Sequence, residues 1–218
     1  MKNFELKKEI LIWIIMILPI AYLFYFWNTL PDIVPTHFRI NGQPNGWSHK
    51  TTLIYIVLGI TIGIYLLFTI IPAIDPKGKI SAMGRKYFLF KLFMMLFMSA
   101  ICFFMIQAAI TKTIGNAHSL FLVIGALFAF LGNYMQTVKP NYFIGIRTPW
   151  TLESETVWRK THQLGGKLYF IAGLLTMILP FILKESFETV FLVIIGTASV
   201  IPIAYSFILF KQEKKITN

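Results

Sequence analysis

Long apolar runs separated by short polar segments form the main pattern of this chain. A helix needs roughly 20 apolar residues to cross the hydrocarbon core of a membrane. Six runs are long enough, or nearly so, and they cover approximately 10–30, 51–72, 88–110, 118–136, 166–183 and 189–210. The pattern predicts an all-α fold, a polytopic membrane protein with six transmembrane helices.

The first run follows several lysines, as the apolar part of a signal peptide would. It is long, however, and it ends in Tyr25, Phe26 and Trp27 instead of the small residues of a cleavage site. We therefore expect this run to be retained as a transmembrane helix.

The composition of the chain indicates that lipid is its solvent. Of its 218 residues, 56% are hydrophobic and 13% are charged, whereas charged residues make up about 25% of an ordinary soluble domain. A water-soluble fold of this size would expose large apolar patches. The single cysteine, Cys102, lies inside an apolar run, so the chain cannot form an internal disulfide.

The net charge of +11 is divided unevenly between the connections. Sixteen of the twenty lysines and arginines fall in the two terminal tails and in the segments 73–91 and 137–167. Those connections alternate with the remaining ones and therefore share one side of the membrane. The four basic residues of the opposite side are Arg39, Lys50, Lys112 and Lys184. The positive-inside rule therefore predicts that both termini face the cytoplasm. Basic residues gathered between apolar runs fit anionic lipid headgroups, so we expect membrane lipids as partners and no direct binding of nucleic acid.

The outer connection, residues 31–50, is rich in turn signals. It holds three prolines and the pairs Asn41-Gly42 and Asn45-Gly46. A short alternating segment before Asn41-Gly42 is suited to one arm of a β-hairpin. We therefore expect a structured outer loop.

Candidate chemistry on the outer side is limited. Three of the four histidines, His37, His49 and His118, fall there together with Asp32. Their spacing matches no tight pair of zinc ligands, so we expect no metal site. The sequence contains no zinc-protease helix, phosphate-binding glycine loop or nucleophile elbow. We therefore expect no enzyme activity, no catalytic residue and no cofactor.

The inner connection, residues 137–165, predicts a short helix after Pro149. Thr151 is a suitable N-cap for it, and Glu153 and Glu155 favour the positive end of its dipole. The helix is expected to lie along the membrane surface.

Aromatic residues of the same connection suit the level of the lipid headgroups. These are Tyr142, Trp150 and Trp158. The pair Gly165-Gly166 would then let the chain turn back into the membrane. His162 lies one helical turn after Trp158 and is expected to stack on it or to form a hydrogen bond within the connection.

Arg147 lies between Gly145 and Pro149 in this connection. Its rigid fork of five donors suits a carboxylate such as Glu153 or Glu155, a helix C-terminus, a lipid phosphate or a partner protein. The alternative is a snorkelling residue that only marks topology.

The predicted membrane interior contains no Asp or Glu, and its side-chain amides are those of Gln107, Asn133 and Gln136. Transporters and pumps commonly use intramembrane acids as proton relays, so the pattern disfavours a transporter. Two alternatives stay open: a small-solute or ion transporter, and a lipid-binding membrane protein.

The two long connections together resemble the SdpI-like family, bacterial membrane proteins that include the immunity protein against a secreted sporulation-delaying toxin. The outer resemblance lies in Leu30-Pro31-Asp32-Ile33-Val34-Pro35-Thr36-His37-Phe38, followed by Asn41-Gly42-x-Pro44-Asn45-Gly46-Trp47. The inner resemblance lies in Asn141-x-Phe143-Ile144-Gly145-Ile146-Arg147-Thr148-Pro149-Trp150-Thr151-Leu152, followed by Glu155-x-Val157-Trp158 and His162.

This resemblance implies a multi-pass protein of the bacterial cytoplasmic membrane that gives immunity to a membrane-active peptide toxin and also holds a cytoplasmic repressor. It implies an N-terminal module, 1–72, with the outer loop 31–50, and a C-terminal module, 73–218, with the inner loop 137–165. The implied outer recognition residues are His37, Asn41, Gly42, Gly46 and Trp47. The implied inner motif consists of Asn141, Gly145, Arg147, Thr148, Pro149, Trp150, Glu155, Trp158 and His162.

Overall fold

The computed structural model describes residues 2–39, 43–113, 117–183 and 187–217. Helices make up most of this part of the chain. In chain order the elements are α1 (Lys2–Tyr25), β1 (Ile33–Phe38), β2 (Pro44–His49), α2 (Thr51–Ile74), one 3-10 turn (Ser81–Met83), α3 (Arg85–Thr111), α4 (Ala117–Met135), α5 (Pro149–Glu153), α6 (Glu155–Ile178), α7 (Pro180–Leu183) and α8 (Phe187–Thr217).

Within the described residues, five helices are long and apolar enough to cross a membrane. They cover Thr51–Ile74, Arg85–Thr111, His118–Met135, Glu155–Leu183 and Phe187–Lys215. A shorter apolar helix covers Glu9–Tyr25. The predicted helical membrane fold is thereby confirmed, while the exact number of spans and their orientation stay predictions.

The chain divides into two compact units. The first comprises residues 1–70 and 84–120, and the second comprises residues 71–83 and 121–218. The core of the first unit is apolar and joins its helices to the outer loop. It consists of Leu23, Leu30, Val34, Leu53, Val57, Cys102, Ile106 and Ala109.

The outer loop forms the predicted β-hairpin. Strands β1 and β2 pair antiparallel, with Ile33 opposite His49 and Pro35 opposite Trp47. Val34 of β1 is fully buried in the core of the first unit, so the hairpin is anchored to the helices. Asn41-Gly42, assigned to the turn, lies outside the described residues.

A polar cluster joins α1, α2 and α3 of the first unit. The Nζ of Lys91 donates to both carboxylate oxygens of Glu9 at 3.0 Å and to Thr69 Oγ1 at 3.1 Å. The hydroxyl of Tyr65 donates to the same carboxylate at 3.1 Å and accepts from Trp13 Nε1 at 2.9 Å. The count of basic residues placed Lys91 in the connection 73–91, but it lies within α3 and is 5% exposed. Glu9 neutralises it, and this pairing makes its burial tolerable.

In the second unit, α4 and α6 approach each other through glycines. A Cβ on Gly132 would lie 2.3 Å from the backbone nitrogen of Phe170, and one on Gly173 would lie 2.3 Å from that of Ala129. Only residues without a side chain allow two helices this close, which is a common packing mode in membranes.

The predicted turn at Gly165-Gly166 is wrong. Helix α6 continues through both residues, and both are buried. A Cβ on Gly166 would lie 2.6 Å from the carbonyl oxygen of Gly132. The pair therefore serves close packing inside a helix instead of a change of chain direction.

Candidate functional site

The inner loop of the second unit is organised by Asn141, which is 2% exposed. Its Oδ1 accepts hydrogen bonds from the backbone N–H groups of Phe143 at 2.8 Å and Ile144 at 2.6 Å. Its Nδ2 donates to the carbonyl oxygens of Lys139 at 2.9 Å and Ile144 at 3.0 Å. One amide side chain thus replaces the backbone pairing that an irregular segment lacks.

Gly145 brings this loop against α6. Its φ of +115° is a conformation that side-chain-bearing residues rarely adopt. A Cβ at this position would lie 2.3 Å from Nε2 of His162. Glycine is therefore required here for backbone conformation and for space.

His162 holds the loop to α6 with both ring nitrogens. Nε2 accepts from the backbone N–H of Ile146 at 2.9 Å, and Nδ1 lies 2.8 Å from the carbonyl oxygen of Trp158. A nitrogen that accepts from an N–H carries no proton, so Nδ1 is the protonated nitrogen and the imidazole is neutral. Its two bonds leave no ring nitrogen available for a metal or a proton transfer.

Trp158 completes the floor of the loop. It is 1% exposed, its Nε1 donates to the carbonyl oxygen of Val138 at 2.9 Å, and its ring stacks on His162 with centroids 4.0 Å apart. The predicted stacking is confirmed. The indole of Trp158 is enclosed and hydrogen-bonded within the protein, and its position at the headgroup level stays a prediction.

Thr148 caps α5, and Pro149 follows at the start of the helix. The Oγ1 of Thr148 accepts from the backbone N–H of Thr151 at 3.2 Å, while the Oγ1 of Thr151 accepts from that of Thr148 at 2.9 Å. The prediction of Thr151 as N-cap is therefore wrong, since it is the third helical residue of a capping box. Proline favours the first helical position, and this signal would have identified Thr148.

The predicted short helix after Pro149 is present as α5, but it does not include Glu155. Helix α5 ends at Glu153, and Ser154 then caps α6 by accepting from the backbone N–H of Val157 at 3.2 Å. Glu155 is thus the first residue of α6, which continues into the apolar segment.

Contacts of α5 with α8 fix this part of the second unit. The hydroxyls of Thr148 and Ser206 lie 3.1 Å apart, and both residues are buried. The rings of Trp150 and Phe207 have centroids 4.9 Å apart. Ser206 was not identified from the sequence, because it lies 58 positions from Thr148 in an apolar run that has no motif.

Arg147 is exposed and donates from Nη1 to the carbonyl oxygen of Tyr142. Of the alternatives for Arg147, a contact with Glu153 or Glu155 is not formed, and Glu153 instead lies 3.8 Å from Lys214 Nζ. Lys77 lies over the ring of Tyr142, 4.9 Å from its centroid. Arg147 therefore braces its own loop with one N–H and keeps further donors for another molecule.

A cavity of about 350 Å³ lies where α4 ends and α6 begins. We call it the inner cavity. Its floor includes the buried Trp158 and His162, and its rim carries the exposed Lys139, Glu155 and Arg159.

The outer hairpin of the first unit presents one face to the surroundings. Ile33 is 53% exposed and Trp47 is 50% exposed, and His37 and His49 are also exposed. A Cβ on Gly46 would lie 2.9 Å from Cβ of His37, so glycine is needed for this strand pairing. Across the described ranges, no three His, Cys, Asp or Glu side chains form a cluster able to hold a metal ion.

The three amides assigned to a transport path have separate surroundings. In the first unit, Gln107 Oε1 accepts from the hydroxyl of Tyr22 at 2.9 Å. In the second unit, Asn133 and Gln136 are exposed, and Gln136 also lines the inner cavity.

Comparisons with known proteins connect these features to two families. The model of the SdpI/YfhL protein family matches residues 137–206, and that of a domain of unknown function, DUF1648, matches residues 14–62. The first match contains the inner loop and α6, and the second contains the hairpin.

The chain is also similar to a protein named Immunity protein SdpI from Bacillus subtilis (strain 168). The two are 26% identical over 209 residues, which cover 95% of this chain and 98% of that protein. The predicted resemblance to the SdpI-like family is therefore confirmed. No solved structure matches the chain significantly.

Proposed function

We propose that this membrane protein protects a bacterial cell against a secreted, membrane-active peptide toxin. Similarity to an immunity protein over 95% of the chain carries the proposal. In the proposed topology the chain lies in the cytoplasmic membrane with both termini in the cytoplasm, as the unequal distribution of basic residues favours. The hairpin then faces outward, and the inner loop faces the cytoplasm.

The exposed face of the hairpin is proposed as the site that meets the toxin. A peptide that acts on membranes carries apolar side chains, and Trp47 and Ile33 offer an apolar surface of about half-exposed side chains. Val34 and the ion pair of Lys50 with Asp32, at 3.1 Å, hold this surface in place. Aromatic anchors on a rigid support are typical of strong recognition sites.

The inner loop is proposed as the site that holds a cytoplasmic repressor. Its framework is fixed by Asn141, Gly145 and His162, while the guanidinium of Arg147 is exposed and has unused donors. For toxin outside to strengthen repressor binding inside, the protein must have two arrangements that both partners distinguish. The N-terminal module 1–72 and the C-terminal module 73–218 would then have separate binding roles.

Expression of the chain in a bacterium sensitive to the sporulation-delaying peptide toxin tests the immunity function. Survival at a fixed toxin dose should rise in cells that produce the protein, and Trp47→Ala should lower it. Phe170→Ala is the matched control, since Phe170 is an exposed aromatic residue, 41% accessible, of the second unit. Unchanged killing in cells with confirmed membrane insertion of the wild-type protein would overturn the proposal.

The repressor role has its own test. A reporter gene under the toxin-responsive repressor should be induced by toxin in cells with the wild-type protein, and Arg147→Ala should abolish induction while leaving survival high. Arg85→Ala, at an exposed arginine of the first unit, should leave both readouts unchanged. Induction that persists in Arg147→Ala cells would exclude the proposed role of Arg147.

A further inference from the structure

The rim of the inner cavity carries three charged side chains. Lys139, Glu155 and Arg159 are exposed and line the same cavity. None of the three forms an ion pair with a side chain in the described part of the chain. The rim therefore offers two cations and one carboxylate to a molecule from outside.

The floor of the cavity does not compete with this rim. Trp158 Nε1 is bonded to the carbonyl oxygen of Val138, and both nitrogens of His162 are bonded to backbone groups. The recognition chemistry is thus set by the rim, where the ammonium and guanidinium provide more donors than Glu155 provides acceptors. The favoured ligand carries an anion.

The position of the cavity indicates where that anion comes from. Its walls join the end of the apolar helix His118–Met135 to the start of the apolar segment Glu155–Leu183. The ends of membrane-spanning helices lie at the level of the lipid headgroups, where phosphate is concentrated. A volume of about 350 Å³ is within the range of small-ligand sites.

We propose that the inner cavity binds a phosphate group, with Lys139 and Arg159 as its ligands, and that this phosphate belongs to a phospholipid headgroup. Arg159 can contact two phosphate oxygens with its planar fork, and Lys139 adds a point charge. Glu155 lies on the same rim and pairs with the ammonium group of an ethanolamine headgroup. The site therefore prefers an ethanolamine headgroup to a glycerol headgroup. This site is independent of the proposed immunity function.

Lipid titration of the full-length protein in detergent tests the site. The probes are short-chain phosphatidylethanolamine, short-chain phosphatidylglycerol and inorganic phosphate, and the readout is the dissociation constant from native mass spectrometry and from the shift in Tm. The wild type should bind phosphatidylethanolamine most tightly. The double variant Lys139→Gln/Arg159→Gln should bind it about tenfold more weakly, equivalent to about 1.4 kcal/mol. Glu155→Gln should remove the preference between the two lipids.

A second double variant, Lys160→Gln/Lys167→Gln, controls for net charge. Lys160 lines a different cleft, between α6 and α8, and Lys167 is exposed on α6. This variant loses the same charge and should bind lipid as the wild type does. Equal weakening in both double variants would mean general surface attraction and would overturn the proposal.

The remaining outcomes separate the two sources of phosphate. Inorganic phosphate that binds as tightly as the lipids would support the phosphate ligands and overturn the lipid assignment. The charge-preserving variant Lys139→Arg/Arg159→Lys should retain binding to within a few fold. If this variant loses binding as the glutamine variant does, the loss indicates misfolding and counts against the assignment of these side chains.

Discussion

The absence of a side chain at Gly145 allows the inner loop to approach α6 closely. The φ of +115° and the 2.3 Å separation between a Cβ there and His162 Nε2 act on the same position. Any side chain would strain the backbone and displace the imidazole from the N–H of Ile146. Glycine is thus required here by the packing against His162 as well as by the backbone conformation.

Gly145→Ala should destabilise the protein by about 2 kcal/mol or more, since backbone strain and a lost buried hydrogen bond add. The Tm in detergent measures this effect. Gly78→Ala is the matched control, because Gly78 also has a positive φ, +60°, but a Cβ there meets no atom within 4 Å. It should cost about 1 kcal/mol from strain alone. Equal losses in the two variants would rule out steric contact with His162.

Local spacing predicted some residues of the candidate site and missed others. The stacking of His162 on Trp158 follows from one helical turn of separation, which sequence displays directly. The pairing of Thr148 with Ser206 joins positions 58 apart, and no periodicity encodes it. The hydrogen bond from Arg147 to the carbonyl oxygen of Tyr142 lies in an irregular segment, and no periodicity encodes it either.

Among the elements, α4 and α6 depend on each other through their glycines. Gly125, Gly132, Gly166 and Gly173 each face backbone atoms of the opposite helix at less than 3.0 Å from an added Cβ. Backbone atoms cannot rotate away as a flexible side chain does. The two helices would have to separate to admit even one methyl group.

Gly132→Ala should therefore lower stability by about 1–3 kcal/mol, the usual cost of overpacking. Gly59→Ala in α2 is the matched control, because a Cβ there meets nothing within 4 Å. That change should be neutral or stabilising by up to about 1 kcal/mol, as alanine favours a helix over glycine. Thermal unfolding of the two variants compares them, and a stability ranking in the opposite order would contradict the close approach of α4 and α6.

Helix boundaries were predictable where the helix ends with its apolar run, and they were missed where the helix continues into polar residues. Helix α2 begins at Thr51 as predicted, directly after Lys50. Helix α6 begins at Glu155, about eleven residues before the predicted span. Its first turns contain the exposed polar residues Glu155, Arg159 and Lys160, and hydropathy cannot distinguish such a segment from a connection.

For the whole molecule, hydropathy and charge summed over many residues gave the membrane class correctly. Such sums tolerate local errors. Lys91 was counted in a connection but is buried in α3, and the predicted membrane class is still correct. The orientation of the chain in the membrane is a prediction for the whole molecule, and it can be measured without toxin or added lipid.

Cysteine labelling of intact cells measures orientation. Asn45→Cys in the hairpin should react with a membrane-impermeant maleimide, whereas Gln212→Cys in α8 should react only after lysis, because basic residues favour the cytoplasmic side. The native thiol of Cys102 is fully buried and should stay unlabelled, so the unaltered chain supplies the blank. Labelling of Gln212→Cys in intact cells, with Asn45→Cys protected, would invert the proposed topology.

The ion pair of Glu9 with Lys91 affects how the helices enter the membrane during synthesis. A lysine inserted alone costs up to about 2.5–3.5 kcal/mol at the centre of a membrane helix, and Lys91 lies in the N-terminal part of α3. Ribosomal synthesis supplies α1 with its carboxylate first, then α2 with Tyr65 and Thr69, and only then α3 with the ammonium group. The two acceptors of the ammonium group, on Glu9 and Thr69, are therefore synthesised before the charge arrives, and we expect this order to lower the insertion barrier of α3 during translation.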